Sequence, residues 1–395
     1  MDIIKPRDED EVLAAVQSAL LSETPLEVVG HGSKRGLGHA VAAAAQLDLS
    51  GLSGVDLYEP TELVLRAKPA TPLDEIEALL DAHSQELAFE PMNPGTLWRG
   101  NRTGTLGGAV AVNAGGPRRI KAGAARDHVL GFRAVSGRGD IFKSGGQVMK
   151  NVTGYDLSKL MAGSHGTLAV MTEVTVKVLP KAETERTFLM YGLDEAAACA
   201  ALREASGLSY ETSSFACLPD GGWADLPPGC CLALRLEGPA VSVDTRFEDL
   251  VAHFGPRGNV DDLGEAASRR LWAGLRDAAP VADVAGPVWR VSTAPSAGAA
   301  FVADVRAAGV PVTRWYYDWA GGLVWLALEG SEPHAAKVRE TLARHGGHAT
   351  LVRADDAVRA TTPVFHPQPA PLAALSKRIK ASFDPAGILN PGRVG

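Results

Sequence analysis

The chain has 395 residues, is 46% apolar and 22% charged and has a mean hydropathy of zero, so its length calls for two to three domains with separate cores. A formal net charge of −7 with dispersed Lys and Arg excludes the basic stripe of a nucleic-acid-binding protein. The N-terminal MDIIKPRDEDEV carries no secretory signal and no apolar run reaches the length of a membrane span. A cytoplasmic protein with no direct membrane insertion is expected, any attachment to the inner membrane arriving through a partner.

Residues 8–21 predict an amphipathic helix, with Val12, Val16, Ala19 and Leu20 on one face behind an acidic first turn. Residues 26–29 are a short β-like run that ends in the loop GHGSKRGLG, and residues 62–67 form the next strand. Thr71 is expected to cap a helix with Pro72 at its first position and Leu73, Ile76, Leu79 and Leu80 on its apolar face. Residues 95–116 hold seven glycines and read as loop-rich. Strands follow at 129–136 and 170–179, and a helix starts near Asp156 with Leu157, Leu160 and Met161.

Pro180 and the charged KAETER mark a boundary. Beyond it, helices at 194–205 and 335–345 and strands at 232–236 and 322–327 predict a separate α+β domain. The turn-rich IKASFDPAGILNPGR closes the chain. The expected division is 1–180, 181–350 and 351–395. Cys199, Cys217, Cys230 and Cys231 form no C-x-x-C pair, so this chain carries no iron–sulfur cluster and its cysteines are expected to be core thiols.

Three glycine-rich stretches stand where chemistry is expected. Residues 30–36, GHGSKRG, follow a strand, and successive N–H groups there can converge on a phosphate, although a simple tight turn explains the loop equally well. The spacing matches neither a Walker A loop nor G-x-G-x-x-G. The second stretch is GTLGG at 104–108, continued by NAGG at 113–116, where the Thr105 hydroxyl and backbone N–H groups are available to a pyrophosphate. The third is GSHGTLAV at 163–170, small residues before a β-branched strand that leave room for a flat ring.

Six ordered motifs are quoted from these stretches and beyond: GHGS, TGTLGG, NAGG, KNVTGYDL, GSHGTL and the terminal FDPAGILNPGR. In this order they resemble the vanillyl-alcohol-oxidase (PCMH-type) FAD-binding family. The resemblance implies an α+β fold: a two-lobed FAD-binding domain, an α+β cap, and a C-terminal return to the FAD domain. It implies non-covalent FAD, with Gly30, His31, Gly32, Ser33 and Gly36 at the pyrophosphate. Gly104, Thr105, Gly107, Gly108, Asn113, Gly115 and Gly116 would line the cofactor path. Gly166, Thr167, Leu168 and Val170 would approach the isoalloxazine, with Asn390 near the ring and Lys150, Asn151 and Tyr155 in the vicinity. Relatives that attach FAD through a loop histidine carry it where this chain has Gly32, one residue after His31.

Within that family the chain is similar to FAD-binding subunits of glycolate (2-hydroxy-acid) oxidase complexes, through VMKNVTGYD, LMAGSHGTL and FHPQPAPL. That likeness implies a homologous FAD-binding catalytic subunit and an iron–sulfur subunit as partners, and a small 2-hydroxy acid as substrate. Related D-2-hydroxy-acid dehydrogenases carry an H-x-G-D-G-N-x-H element in the cap. Here the corresponding stretch reads DWAGG at 318–322, and no histidine lies between His253 and His334. His366 is the remaining candidate base, with a loop histidine as the plainer reading, and Arg235, Arg290 and Arg314 are candidate carboxylate anchors. Two readings stay open: a subunit whose FAD takes electrons from substrate, or a flavin-carrying electron-transfer subunit whose partner does the chemistry. A stand-alone alcohol dehydrogenase is the outlier.

Overall fold

Asp8 starts the first helix, Glu9–Leu21, by accepting the Glu11 N–H at 2.8 Å. The helix buries Val12, Ala15, Val16 and Ala19, each valine worth roughly 2 kcal/mol of burial. That face meets Leu26, Leu47, Val135, Val170 and Leu389 in one apolar cluster. Glu9, on the same helix, is held by Arg133 and accepts the Thr172 hydroxyl at 2.6 Å, which fixes the helix against two strands.

The computed structural model describes residues 1–100, 103–146, 154–221, 223–224 and 226–394. They form two units: Met1–Gly115 with Gly123–Lys181 and Pro367–Gly395, and Gly116–Ala122 with Ala182–His366. The first unit holds a parallel three-stranded sheet, in the order Asp2–Ile4, Ala45–Asp48, Leu26–Val29. It also holds an antiparallel five-stranded sheet, in the order Val55–Glu59, Val64–Ala67, Ala169–Lys177, Val129–Ser136, Ile141–Gly145. Helices Leu73–Asp81 and Leu106–Val112 cover the second sheet through Ile76, Leu80, Leu106 and Val110. These two sheets are the expected two lobes.

Thr71 is not the cap of the helix it precedes. Its hydroxyl donates to the Lys68 carbonyl at 2.8 Å and accepts the Gly54 N–H at 3.0 Å, and Pro72 takes the cap position without a side-chain bond. Within the loop-rich stretch 95–116, residues Leu106–Val112 form a helix, because Thr105 caps it by accepting the Gly108 N–H.

The C-terminal return begins at Pro367, later than the expected residue 351. The strand His348–Arg353 is an edge of the second unit's sheet and the helix Asp356–Thr361 follows it, so both stay with that unit. The return is the helix Ala370–Phe383 followed by a strand-like run. Leu26 N–H donates to Ile388 and Asn390 N–H donates to Leu26, at 2.8 and 2.9 Å, so residues 388–390 extend the three-stranded sheet.

The second unit is an antiparallel eight-stranded sheet, ordered Asn259–Leu263, Thr184–Tyr191, Cys231–Gly238, Ser214–Leu218, Val312–Asp318, Leu323–Leu328, Val288–Ser292, His348–Arg353. One face carries Phe188, Cys217, Trp289, Val291, Val324 and Leu326 into a core shared with helices that supply Leu202, Leu250, Phe301 and Leu342. Cys199, Cys217 and Cys231 are buried and Cys230 is half-buried; all four are free. The excursion Gly116–Ala122 is tied to this unit by Arg118, whose Nε donates to Glu237 at 3.0 Å.

Asp384 closes the return. It is 1% exposed, accepts the Ile388 and Leu389 N–H groups at 3.1 and 2.8 Å, and pairs with Lys380, whose ammonium also reaches the carbonyls of Thr167 and Leu389. Removing one acceptor leaves two buried donors and a cation without it. Asp384→Ala is expected to lower stability by roughly 3 kcal/mol, read as a reduced denaturant midpoint at unchanged m-value.

Candidate functional site

The strand Leu26–Val29 delivers the chain into the loop 30–37, and the return at 388–393 lies alongside it. Asn390 joins three segments. Its Oδ1 accepts Val28 N–H at 2.8 Å, its Nδ2 donates to the His165 carbonyl at 2.9 Å, and its backbone sits at φ 44, which asparagine tolerates better than most residues. Gly166 completes that clamp: at φ +68, any Cβ there would lie 2.8 Å from Asn390 Nδ2.

Between these segments lies a cleft. Its walls are Val28, Val29 and the loop Gly30 to Arg35 with Leu37 on one side, and Thr105, Gly108, Ala111 and Val112 on another. His165, Asn390 and Arg393 close the third.

The donors here are unevenly used. In the turn at 104–108, Leu106, Gly107 and Gly108 already donate to Thr71, Pro69 and the Thr105 hydroxyl. Three of the N–H groups that the sequence seemed to offer a pyrophosphate are spent there. In the loop at 30–36 the situation is reversed. Gly32, Ser33 and Lys34 have N–H groups with no acceptor among the described residues. Arg35 and Leu37 N–H groups close the turn onto Gly32 and Lys34 carbonyls, at 3.3 and 3.0 Å. Gly32 takes φ +68 there, and three successive donors in such a loop can form a small anion-binding nest.

The charges follow the same pattern. Arg35 pairs with Glu27 at 2.6 Å, and Arg393 reaches the same carboxylate at 3.5 Å while also donating to the Arg35, Leu37 and His39 carbonyls. Lys34 is different: its Nζ is buried and has no hydrogen-bond partner among the described residues. His165 is pushed down to about 4 by burial and by Arg393, so its imidazole is neutral at pH 7.

Of the residues expected at a cofactor, Gly30, His31, Gly32, Ser33, Thr105, Gly108 and Asn390 line this cleft. The others serve the frame around it. A Cβ on Gly36 would fall 2.4 Å from Trp98, and one on Gly107 would fall 2.7 Å from Pro69, so both are close-packing positions. Gly104 sits against Leu73 and the Lys34 amine. Asn113 ends its helix in the left-handed region and accepts Arg126 N–H at 2.9 Å. Gly115 closes the first unit's opening segment, and Gly116 belongs to the second unit, where its carbonyl accepts Trp319 Nε1–H at 3.0 Å. Thr167 bonds its own turn through Ser164, and Leu168 and Val170 are buried in apolar clusters. Tyr155 is 92% exposed, and Lys150 and Asn151 lie outside the described residues.

Lys34, Arg35 and Arg393 were not singled out from sequence. Lys34 stood inside the quoted motif, where a lysine in a glycine loop was visible but its burial was not. His366 is in the second unit, where its Nδ1 accepts Ala349 N–H at 3.3 Å, and burial and Arg339 hold its pKa down. The neutral ring then carries its proton on Nε2, the opposite of what abstracting a hydroxyl proton requires.

The three cap arginines separate cleanly. Arg235 is buried between Glu185 and Glu237, at 3.2 and 3.3 Å. Arg314 is paired with Asp283 at 2.8 Å. Arg290 makes no ion pair or side-chain hydrogen bond with a described residue and lies over the rings of Trp319 and Trp325, at 4.9 and 5.9 Å. Burial lowers it to about 10, which leaves it charged at neutral pH.

Comparison with known proteins adds the following. A family model described as an FAD binding domain matches residues 2–145, and one described as the C-terminal domain of FAD linked oxidases matches residues 368–394. The chain is 35% identical to glycolate oxidase subunit GlcE of Escherichia coli (strain K12), over 97% of this chain and 96% of that one. It is 34% identical to glycolate oxidase subunit GlcD of Bacillus subtilis (strain 168), over 47% of this chain and 38% of that one. Among solved structures, p-cresol methylhydroxylase with substrate bound shares the fold at TM-score 0.74 and 16% identity, covering 100% of this chain and 88% of that one. Alkyldihydroxyacetonephosphate synthase does so at 0.65 and 16%, covering 98% and 76%.

The matched domain binds FAD, and the cleft's own chemistry suits the diphosphate of that cofactor: a three-donor nest beside a buried amine with no partner. Gly32→Val is expected to lose FAD, because a β-branched residue resists φ +68 and would disorder the nest. His31→Ala is expected to keep it. Flavin absorbance per protein after purification measures both.

Proposed function

The chain belongs to the FAD-linked oxidase family, and on that premise we propose that it is the FAD-carrying subunit of a complex that oxidises a small 2-hydroxy acid of the glycolate type. The observation that supports this most is full-length similarity to a glycolate oxidase subunit, joined to a cleft whose free donors and amine suit a diphosphate. The similarity to a second, distinct glycolate oxidase subunit supports a multi-subunit assembly with a homologous flavin subunit. An iron–sulfur subunit is the proposed route to an external acceptor, since four cysteines without a C-x-x-C pair leave this chain no cluster of its own. Among the described residues no helix is long and apolar enough to cross a membrane, so any membrane attachment would run through the complex.

When bound, FAD supplies an acceptor for the electron pair that leaves the substrate C–H bond. The protein's share is placement and charge. Gly32, Ser33 and Lys34 would hold the diphosphate, and Asn390 would keep His165 and the strand Leu26–Val29 in register around the cofactor. Cofactor attachment is proposed to be non-covalent, since Gly32 stands where attaching relatives carry histidine. Acid precipitation is expected to release the yellow colour to the supernatant; colour retained in the pellet would contradict it.

In the cap, Arg290 is the arginine proposed to meet a substrate carboxylate, because Arg235 and Arg314 already have carboxylate partners. The cap lacks the histidine element, and the Nδ1 of His366 is engaged by Ala349. The isolated chain is therefore proposed to hold a 2-hydroxy acid without oxidising it quickly, a base being worth about 10²–10⁴ in rate.

The test is anaerobic mixing of the FAD-replete chain with excess glycolate or D-lactate, followed by flavin bleaching. Slow bleaching that accelerates by about 10²–10⁴ on adding the homologous subunit is expected. Bleaching within seconds by the chain alone, abolished in His366→Ala, would make this chain the catalyst and its histidine the base. In the assembled complex Arg290→Met is expected to raise KM for glycolate by roughly tenfold or more, the worth of a charge-assisted hydrogen bond.

A further inference from the structure

The amine of Lys34 is the one feature of the cleft that packing does not explain. Its Nζ is buried, and the side chain lines the cleft and packs beside Gly104 and Gly108, where added Cβ atoms would lie 3.1 and 3.5 Å from Nζ. No oxygen among the described residues accepts from it. A buried amine without a partner is a cost to the flavin-free fold. The neighbouring cations are not in that position, since Arg35 and Arg393 share Glu27. Lys34 also ends the run of three free N–H groups, so backbone dipoles and amine belong to one loop.

We propose that Lys34 is the fixed counter-charge of the FAD diphosphate and that cofactor binding is coupled to protonation of this amine. This assignment rests on the FAD-binding reading and extends it to a residue and a proton.

Among the described residues, the titratable groups that line the cleft with the amine are His31 and Arg35 of its own loop, His165 of the turn after residue 162 and Arg393 of the C-terminus, and Glu27 of the preceding strand pairs with both guanidinium groups. The segment 104–112 contributes no titratable group, and Asp74 and Glu75 of the helix beyond it are exposed. Burial alone pulls Lys34 down to about 8 in the flavin-free protein. A diphosphate beside the amine favours its charged form and raises that value in the complex. Below about pH 7 both states hold the proton, and binding is independent of pH. As pH rises through 8 the free protein loses the proton while the complex keeps it, so affinity falls and binding takes up a proton.

The experiment titrates the flavin-stripped full chain with FAD from pH 6.5 to 9, in two buffers of different ionisation enthalpy, with riboflavin as the ligand that lacks a diphosphate. For the wild type, a flat Kd below pH 7, a several-fold weakening between pH 8 and 9, and uptake of about one proton at pH 9 are expected. Lys34→Met is expected to bind FAD roughly 30-fold more weakly or worse, with no pH dependence and no proton uptake. Lys34→Arg, charged throughout this range, is expected to retain tighter binding than Lys34→Met and also to lose the pH dependence.

Flavin-stripped Lys34→Met should unfold at or above the wild-type temperature, since it removes an uncompensated amine. A residue that only shapes the loop would instead lower it. Riboflavin binding should be the same in wild type and Lys34→Met; equal weakening of riboflavin and FAD would overturn the counter-charge assignment. Wild-type affinity and pH slope retained in Lys34→Met would overturn it too, while leaving FAD binding intact. A wild type that binds no FAD would overturn the FAD reading itself, and this inference with it.

Discussion

The cleft exists because one amide, Asn390, ties the end of the chain to its beginning. It links the strand Leu26–Val29 to the turn carrying His165, supplying both the acceptor for Val28 and the donor to His165. The requirement propagates. Asn390 must adopt positive φ to reach both, Gly166 must lack a side chain to let it in, and Asp384 must gather Ile388 and Leu389 so that Asn390 arrives in register. Lys380 adds a further tie, from the return helix to Thr167 and Leu389. A short terminal segment thus sets the geometry of loops more than two hundred residues earlier, which is why truncating it would be a change to the site and not to a tail.

Charge in the cleft is arranged so that structure and ligand use different groups. Glu27 compensates two guanidinium groups, and those guanidiniums do framework work: Arg35 also reaches Gln46 at 2.6 Å, and Arg393 satisfies three carbonyls of the loop 35–39. Backbone donors divide likewise. Those of residues 106–108 are consumed in bracing the turn, and those of residues 32–34 are left open. An anion entering the cleft therefore meets donors already oriented and not recruited from elsewhere, which reduces the reorganisation that binding would otherwise cost.

Much of the fold was legible because it rests on short-range signals. Period-3.6 apolar spacing placed the helix Glu9–Leu21, and β-branched runs placed Val129–Ser136 and Ala169–Lys177, each within a residue or two. The ordered glycine motifs identified the cofactor domain. What failed depends on long-range partners. Thr71 looked like a helix cap, yet its hydroxyl is taken by Gly54 and Lys68. Gly36 and Gly107 looked like phosphate glycines, yet Trp98 and Pro69 explain them. Residues 351–366 looked like part of the return, yet edge pairing of His348–Arg353 with Val288–Ser292 holds that strand in the second unit. A motif lists residues that occur together, whereas burial and hydrogen-bond partners decide which of them are left free to bind.

The same distinction orders the second unit. From sequence its three candidate anchors, Arg235, Arg290 and Arg314, were equivalent. Sheet register separates them. Arg235 faces Thr187 and Ser214 across its neighbours, on the side where Glu185, Ser268 and Trp272 build a closed polar network. Arg290 stands opposite Trp325 and Thr350, and Trp325 in turn stands opposite Tyr316 and stacks on it at 6.2 Å and 6°. Aromatic faces hold a guanidinium in place without consuming its N–H groups. A network of carboxylates fixes Arg235 and uses it up, whereas the two indoles fix Arg290 and leave its donors for something else.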